Sequence, residues 1–389
     1  MTAARAAAAA ALSVFLTCNA AAQDVAPQPS AAAGEQAPET TAESPYDRIW
    51  KRFTELYRND ANRIVQEVRF TGRFQHDLTA LDADQGGHEE SNVRRLRLGP
   101  RVRFLKDYLF HAELELNPQE RDPLYVRFTD LYVEWSRGDA LAVTVGKQSI
   151  PFTQEGATSS KELLTIDRSN LANNIWFTQE YMPGVSTSGT LDAWRYHAGV
   201  FSSGTATREL GEFSGGYFTL AALGYDFADA LSAEEAVLTG QYVGQRADAD
   251  NTFTQPFGHI GSVNFALNAG RWGLRSDAAL AAGHRGQSDV RAFMAMPYVD
   301  ITDALQLVGR YTLVDSTEPN GVRLATYENR VVTGRGDRYD ELYAGANYYF
   351  YGHRLKLQSG VQWARLDDAA DDGGEYSGVS WVTGLRVSW

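Results

Sequence analysis

From Ile64 to Trp389 the chain alternates apolar and polar residues in short segments, and this period of two limits its fold more than any other feature. Residues 92–104, NVRRLRLGPRVRF, show it best. Leu96, Leu98, Pro100, Val102 and Phe104 take one parity, and Arg95, Arg97, Arg101 and Arg103 take the other. Successive side chains of a strand point to opposite faces, so this is a ribbon with one oily face and one face of guanidinium groups. Comparable segments run at about 64–76, 92–105, 107–117, 124–136, 140–147, 180–190, 193–202 and 217–227. They continue at 234–245, 258–268, 271–284, 290–300, 304–314, 340–351, 354–366 and 376–389, which makes sixteen, an even number.

The connections alternate in length. Those after the odd segments are often long and polar, as in DLTALDADQGGHEES and DSTEPNGVRLATYENRVVTGRGDRY; those after the even ones are tight, as in SRGDA, NAGRW and YGHR. A soluble β-sandwich also alternates but has no reason for this rhythm, whereas an antiparallel barrel in an outer membrane has long outer loops and short periplasmic turns. A tilted strand needs about 9–11 residues to cross a bilayer, and aromatics gather at segment ends, as in NYYFY (347–351) and Trp389. No segment beyond the N-terminus holds a long unbroken apolar run, so no transmembrane helix is expected. The fold class is therefore all-β: a transmembrane antiparallel β-barrel of about sixteen strands over residues 64–389, its leucines against lipid and its arginines inside.

The N-terminus reads as a secretory signal peptide over residues 1–22: Arg5, an apolar stretch from Ala6 to Leu16, then Ala20-Ala21-Ala22 before Gln23. The alternative, a membrane anchor, would need a longer apolar run. The single cysteine, Cys18, falls inside that leader, where Phe15-Leu16-Thr17 match a lipid-acylation site poorly. Disulfides and thiolate metal sites are then excluded from the mature chain. Residues 23–45 are Ala/Pro/Gln/Glu-rich and read as a disordered spacer. Over 46–60, Ile49, Phe53, Leu56 and Tyr57 fall at helical spacing behind Pro45, which predicts a short periplasmic amphipathic helix.

Residues 145–190 resemble the central signature of the phosphate-selective porin O and P family. The matching residues are Gly146-Lys147, Pro151-Phe152, Ser159-Ser160-Lys161 and Asp167-Arg168-Ser169; Phe70-Thr71-Gly72-Arg73 and Asp130 to Trp135 match as well. The resemblance implies an outer-membrane channel of sixteen strands, usually a homotrimer, with its third loop folded into the lumen and phosphate-like anions guided by an arginine ladder. Family barrels commonly end in Phe, so Trp389 departs from the pattern.

Parity places Arg69, Arg73, Arg95, Arg97, Arg101, Arg103, Arg310, Lys356 and Arg386 inward. When the last strand pairs with the first, most of them share one wall. Stacked guanidiniums offer an anion successive charge-assisted contacts, and several weak sites suit conduction better than one tight one. Against this, Glu113, Glu115, Asp130 and Glu134 also turn inward beside the arginines, so some guanidiniums pair with them or merely keep the bore wet. In the third loop, Ser159 or Ser160 could cap a short helix beginning near Glu162, with Leu171, Ile175, Trp176 and Phe177 as apolar anchors. Lys161 and Arg168 are then candidates for the constriction, unless Arg168 only pairs with Asp167 or a wall carboxylate.

A net charge of -13 does not oppose an anion channel, because outer loops hold much of the acid. No nucleic-acid partner, cofactor or metal is expected; outer-membrane lipid and small anions are. The seven histidines are scattered, and no G-x-S-x-G or H-E-x-x-H occurs, which argues against a barrel enzyme. A structural or adhesive barrel would more usually have eight strands. The remaining alternative is a general, weakly selective or sugar-type porin. Sugar selectivity would need lumenal aromatics, and most aromatics here fall on the lipid parity.

Overall fold

The computed structural model describes residues 44–120, 122–175, 181–203, 209–210, 216–247 and 254–389. The expected leader (1–22) and nearly all of the spacer (23–45) lie outside them. Sixteen long strands form the barrel: β1 (Val65–Ala83), β2 (Gly86–Phe104), β3 (Tyr108–Leu116), β4 (Tyr125–Arg137), β5 (Leu141–Ser149), β6 (Tyr181–Leu191), β7 (Trp194–Ser202) and β8 (Gly216–Asp226). Then come β9 (Glu235–Ala247), β10 (Phe257–Ala269), β11 (Trp272–Gly283), β12 (Val290–Asp300), β13 (Leu305–Ser316), β14 (Arg338–Tyr351), β15 (Leu355–Asp367) and β16 (Tyr376–Ser388). Each pairs antiparallel with the next. β16 returns to β1, with Gly378 opposite Ala83 and Ser388 opposite Arg73, so the sheet closes on itself.

Closure pairs the backbone around the ring, which hydrocarbon requires. The alternation then sorts the side chains as the sequence predicts: Leu238, Tyr242, Leu307, Val361, Trp363, Val379 and Leu385 stand exposed on the outer face. No helix among the described residues is long and apolar enough to cross a membrane. The start of β1, the end of β16 and the short turns share one rim, the periplasmic one in a barrel of this kind.

Four local expectations are corrected. The polar run after the first segment is not a loop: β1 and β2 continue as strands of nineteen residues each, with Ala83 opposite Gly86 across a two-residue turn. Its alternation, Asp77 and Thr79 inward against Leu78 outward, was the better guide than its polarity. At the N-terminus the helix is only α1 (Pro45–Thr54), with Ser44 as its cap, and Glu55–Arg58 is a strand. β16 stops opposite Arg73, leaving the lower edge of β1 open; Glu55–Arg58 pairs there, with Glu55 opposite Arg69 and Arg58 opposite Glu67. The Trp389 indole lies over Gly72, where a Cβ would approach it to 2.6 Å.

The third and fourth corrections concern the loops. The third outer connection, after β5, carries α2 (Gln154–Ala157) and α3 (Asn170–Ile175), whereas SSKELLTID between them makes turns. Leu171 and Ile175 are buried as anchors; Trp176 and Phe177 lie outside the described residues. The connection before β14, expected as an outer loop, folds down onto the third one. Val322, Leu324, Tyr327 and Val332 are buried, and the Asn170 and Asn174 amides donate to the Arg323 carbonyl at 2.8 and 3.1 Å. An apolar core thus forms inside the barrel, where Ile150, Phe152 and Leu171 meet inward Phe201, Phe218, Phe257 and Met294.

Candidate functional site

The lumen is built from the inward parity of the strands and from the third connection packed against it. Six of the nine expected ladder residues are deeply buried and point inward. Arg73 donates to the Glu113 carboxylate at 2.8 Å and to the Ser160 hydroxyl at 2.6 Å. Arg95 donates to the Gln75 side chain at 2.9 Å. Arg97, 1% exposed, reaches Glu115 at 3.0 Å and the Tyr181 hydroxyl at 2.6 Å. Across the seam, Arg310 pairs with Glu341 at 2.7 Å and with Glu155 at 3.4 Å, and donates to the Thr165 hydroxyl at 2.8 Å. Arg386 pairs with Asp77 and donates to the Ile166 carbonyl at 3.1 Å. Lys356 donates to the Leu163 carbonyl at 2.6 Å.

Residues 155–166 of the third connection are therefore held to the wall by basic side chains. A guanidinium removed from water needs a carboxylate and further acceptors to offset its desolvation. Here loop carbonyls and hydroxyls supply those acceptors. The wall cations act as anchors for the loop.

The other three ladder residues lie nearer the periplasmic rim. Arg69 is half exposed and pairs with Glu67 at 2.6 Å and Glu55 at 3.8 Å. Arg101 and Arg103 share the inward parity of Arg97, opposite His111 and Leu109 of β3, and both are exposed. Neither has a carboxylate partner among the described residues. Across β1 they lie opposite Arg69 and Glu67, so the mouth below the braced loop is lined by these three arginines together with Glu67 and Glu55.

Of the two loop candidates, Lys161 is at the lumen. Its ammonium donates to the Thr71 hydroxyl and the Trp389 main-chain oxygen, both at 3.1 Å. Burial, and then the nearby Arg73 guanidinium, push its amine down to about 8. Arg168 is corrected: it faces its own loop, donating to the carbonyls of Glu155 at 2.7 Å and Thr158 at 2.8 Å.

Two inward cations escape a strict reading of period two. Gln75 is opposite Arg95 and His76 opposite Val93, so Arg94 is the extra residue of a bulge. It meets Asp167 of the loop at 3.5 Å. A second bulge at Thr129 lets Arg127 join Asp130 on the inner face, and Arg127 pairs with Glu115 at 3.0 Å. Neither bulge has a sequence signal. Lys147 stays opposite Leu131, yet it is buried through a 2.7 Å pair with Glu209. The inner side nevertheless carries some aromatics. Tyr298, Tyr339, Tyr343, Phe201, Phe218 and Phe257 are all buried on the inner side.

The family model "Phosphate-selective porin O and P" matches residues 68–277. Among solved structures, an anion-selective porin from Comamonas acidovorans aligns with a TM-score of 0.60 at 13% identity, covering 83% of this chain and 99% of that one. OmpF of Salmonella typhi in complex with daunomycin aligns with a TM-score of 0.59 at 11% identity, covering 86% and 100%. The channel DcaP of Acinetobacter baumannii aligns with a TM-score of 0.57 at 12% identity, covering 86% and 99%. At these identities the likeness is one of fold. No curated protein matches the chain.

Proposed function

This chain belongs to the phosphate-selective porin O and P family, and from that premise we propose that its outer-membrane channel passes small anions by passive diffusion, phosphate and polyphosphate-like solutes among them. The observation that carries the reading is the exposed, inward pair Arg101 and Arg103. Residues two apart on a strand lie about 7 Å from each other on one face. Two guanidiniums at that spacing can pass an oxyanion from one to the next, each binding in bidentate fashion without a deep trap. Lys161 continues the positive charge toward the braced loop. That buried ladder residues tune this potential without touching the solute is part of the same proposal.

A second reading, a general and weakly selective porin, is favoured by Glu113, Glu115, Asp130 and Glu134, which face the arginines from β3 and β4. We further infer a homotrimer, and export with cleavage of residues 1–22, in keeping with the family.

Reversal potentials of single channels across a KCl gradient separate the two readings. Anion preference, with chloride current reduced by added phosphate, is expected. A cation preference would remove the anion reading, and chloride current indifferent to phosphate would remove the phosphate part.

A further inference from the structure

We propose that α1 and the strand after it are an interfacial anchor, which binds anionic phospholipid head groups in the periplasmic leaflet and holds the barrel seam there. The placement comes first. α1 lies on the outside of the barrel, where Tyr46 stacks on Tyr351 at 5.4 Å and Phe53 meets Phe70 at 5.8 Å and Trp389 at 6.0 Å. The Trp50 indole N–H donates to the Ser388 carbonyl at 2.7 Å, across the junction of β16 with β1. Phe70, Tyr351 and Trp389 sit at the periplasmic ends of their strands, the level at which aromatic rings favour the membrane interface.

The exposed apolar side chains come second. No residue of α1 is buried. Ile49 is 59% exposed and Phe53 55%, at positions i and i+4 of α1, so they lie on one side of the helix, and Leu56 of the strand that follows is 63% exposed. Because the helix already lies against lipid-facing strands, this side continues the hydrocarbon-facing surface of the barrel.

Charge decides the lipid class. Arg48, Lys51 and Arg52 of the helix are exposed, while Arg58 of the strand that follows is paired with Asp60 at 3.5 Å. The acidic groups nearby are engaged: Asp47 by the Tyr351 hydroxyl and by Arg354 at 4.0 Å, Glu55 by Arg69 at 3.8 Å. A basic surface beside an apolar helical face is the pattern of an interfacial helix, and it favours anionic over zwitterionic lipid.

The test uses the full-length protein in phosphatidylcholine bilayers with and without phosphatidylglycerol. A nitroxide on Ile49→Cys, with Cys18→Ser, is expected to collide with oxygen more readily than with a water-soluble nickel chelate. Trp50 fluorescence, isolated by difference from Trp50→Phe, is expected to be quenched several-fold more by brominated phosphatidylglycerol than by brominated phosphatidylcholine. Arg48→Gln with Arg52→Gln, both exposed and outside the barrel, should bring the two lipids to equality. Free access of the chelate would place the helix in water and overturn the proposal. Shielding from both reagents would mean that protein covers that side of the helix, a second copy or a periplasmic partner, and would overturn it too. Equal quenching by the two lipids in the unaltered protein would reject the anionic preference.

Discussion

Arg97 and Arg101 leave the same strand on the same face four residues apart, and they do different work. Arg97 is closed in by Glu115 and Tyr181, whereas Arg101 stands exposed. Parity tells which face a side chain takes; depth along the strand tells what it meets there. Near mid-barrel other strands close over Arg97, and the third connection turns Arg73, Arg310, Arg386 and Lys356 into braces. Nearer the periplasmic rim no loop among the described residues pairs with Arg101 or Arg103, and the same residue type is left to the solution. A run of inward arginines is therefore a statement about the lumen only where the loops leave it open.

The largest expected effect is on the braced side. Arg310→Ala would leave Glu341 and Glu155 buried without their shared cation. Breaking a buried pair in this way costs about 3–5 kcal/mol. Thermal unfolding in detergent should move to a clearly lower midpoint, and single-channel records should become noisy as the loop loosens. A midpoint equal to that of the unaltered protein would mean that Arg310 does not brace the loop.

A smaller effect is expected at the boundary between the two regions. Lys161 keeps its proton below pH 8 and sheds it above, because burial and Arg73 hold its amine down to about 8. Anion preference should thus be full near pH 7 and decline as pH rises through 8. In Lys161→Arg, which stays charged, the decline should vanish. If it persists in that variant, another group carries it.

Much of the fold was legible because a barrel in hydrocarbon leaves little freedom. Period two, strand number and the rhythm of the turns follow from backbone pairing and a two-faced wall. The braced side was not, since it depends on what the loops do once the wall exists. The apolar residues Val322, Leu324 and Val332 were visible within a run that looked polar, but nothing local said that they would turn inward. Arg94 and Arg127 were hidden by bulges, which shift a strand by one residue without a mark in the sequence. Arg168 looked like a pore residue from its triplet, but satisfies its own loop's carbonyls. The helix expected in SSKELLTID gave way to helices on either side, where Thr153 caps the first of them.

The measurement that bears most directly on the contrast is the reversal potential of Arg101→Ala with Arg103→Ala in a KCl gradient. Both side chains are exposed, so stability should hold to within about 0.5 kcal/mol, and a change in selectivity can be assigned to the mouth itself. A shift toward equal permeation of chloride and potassium is expected. A reversal potential identical to that of the unaltered channel would contradict the account.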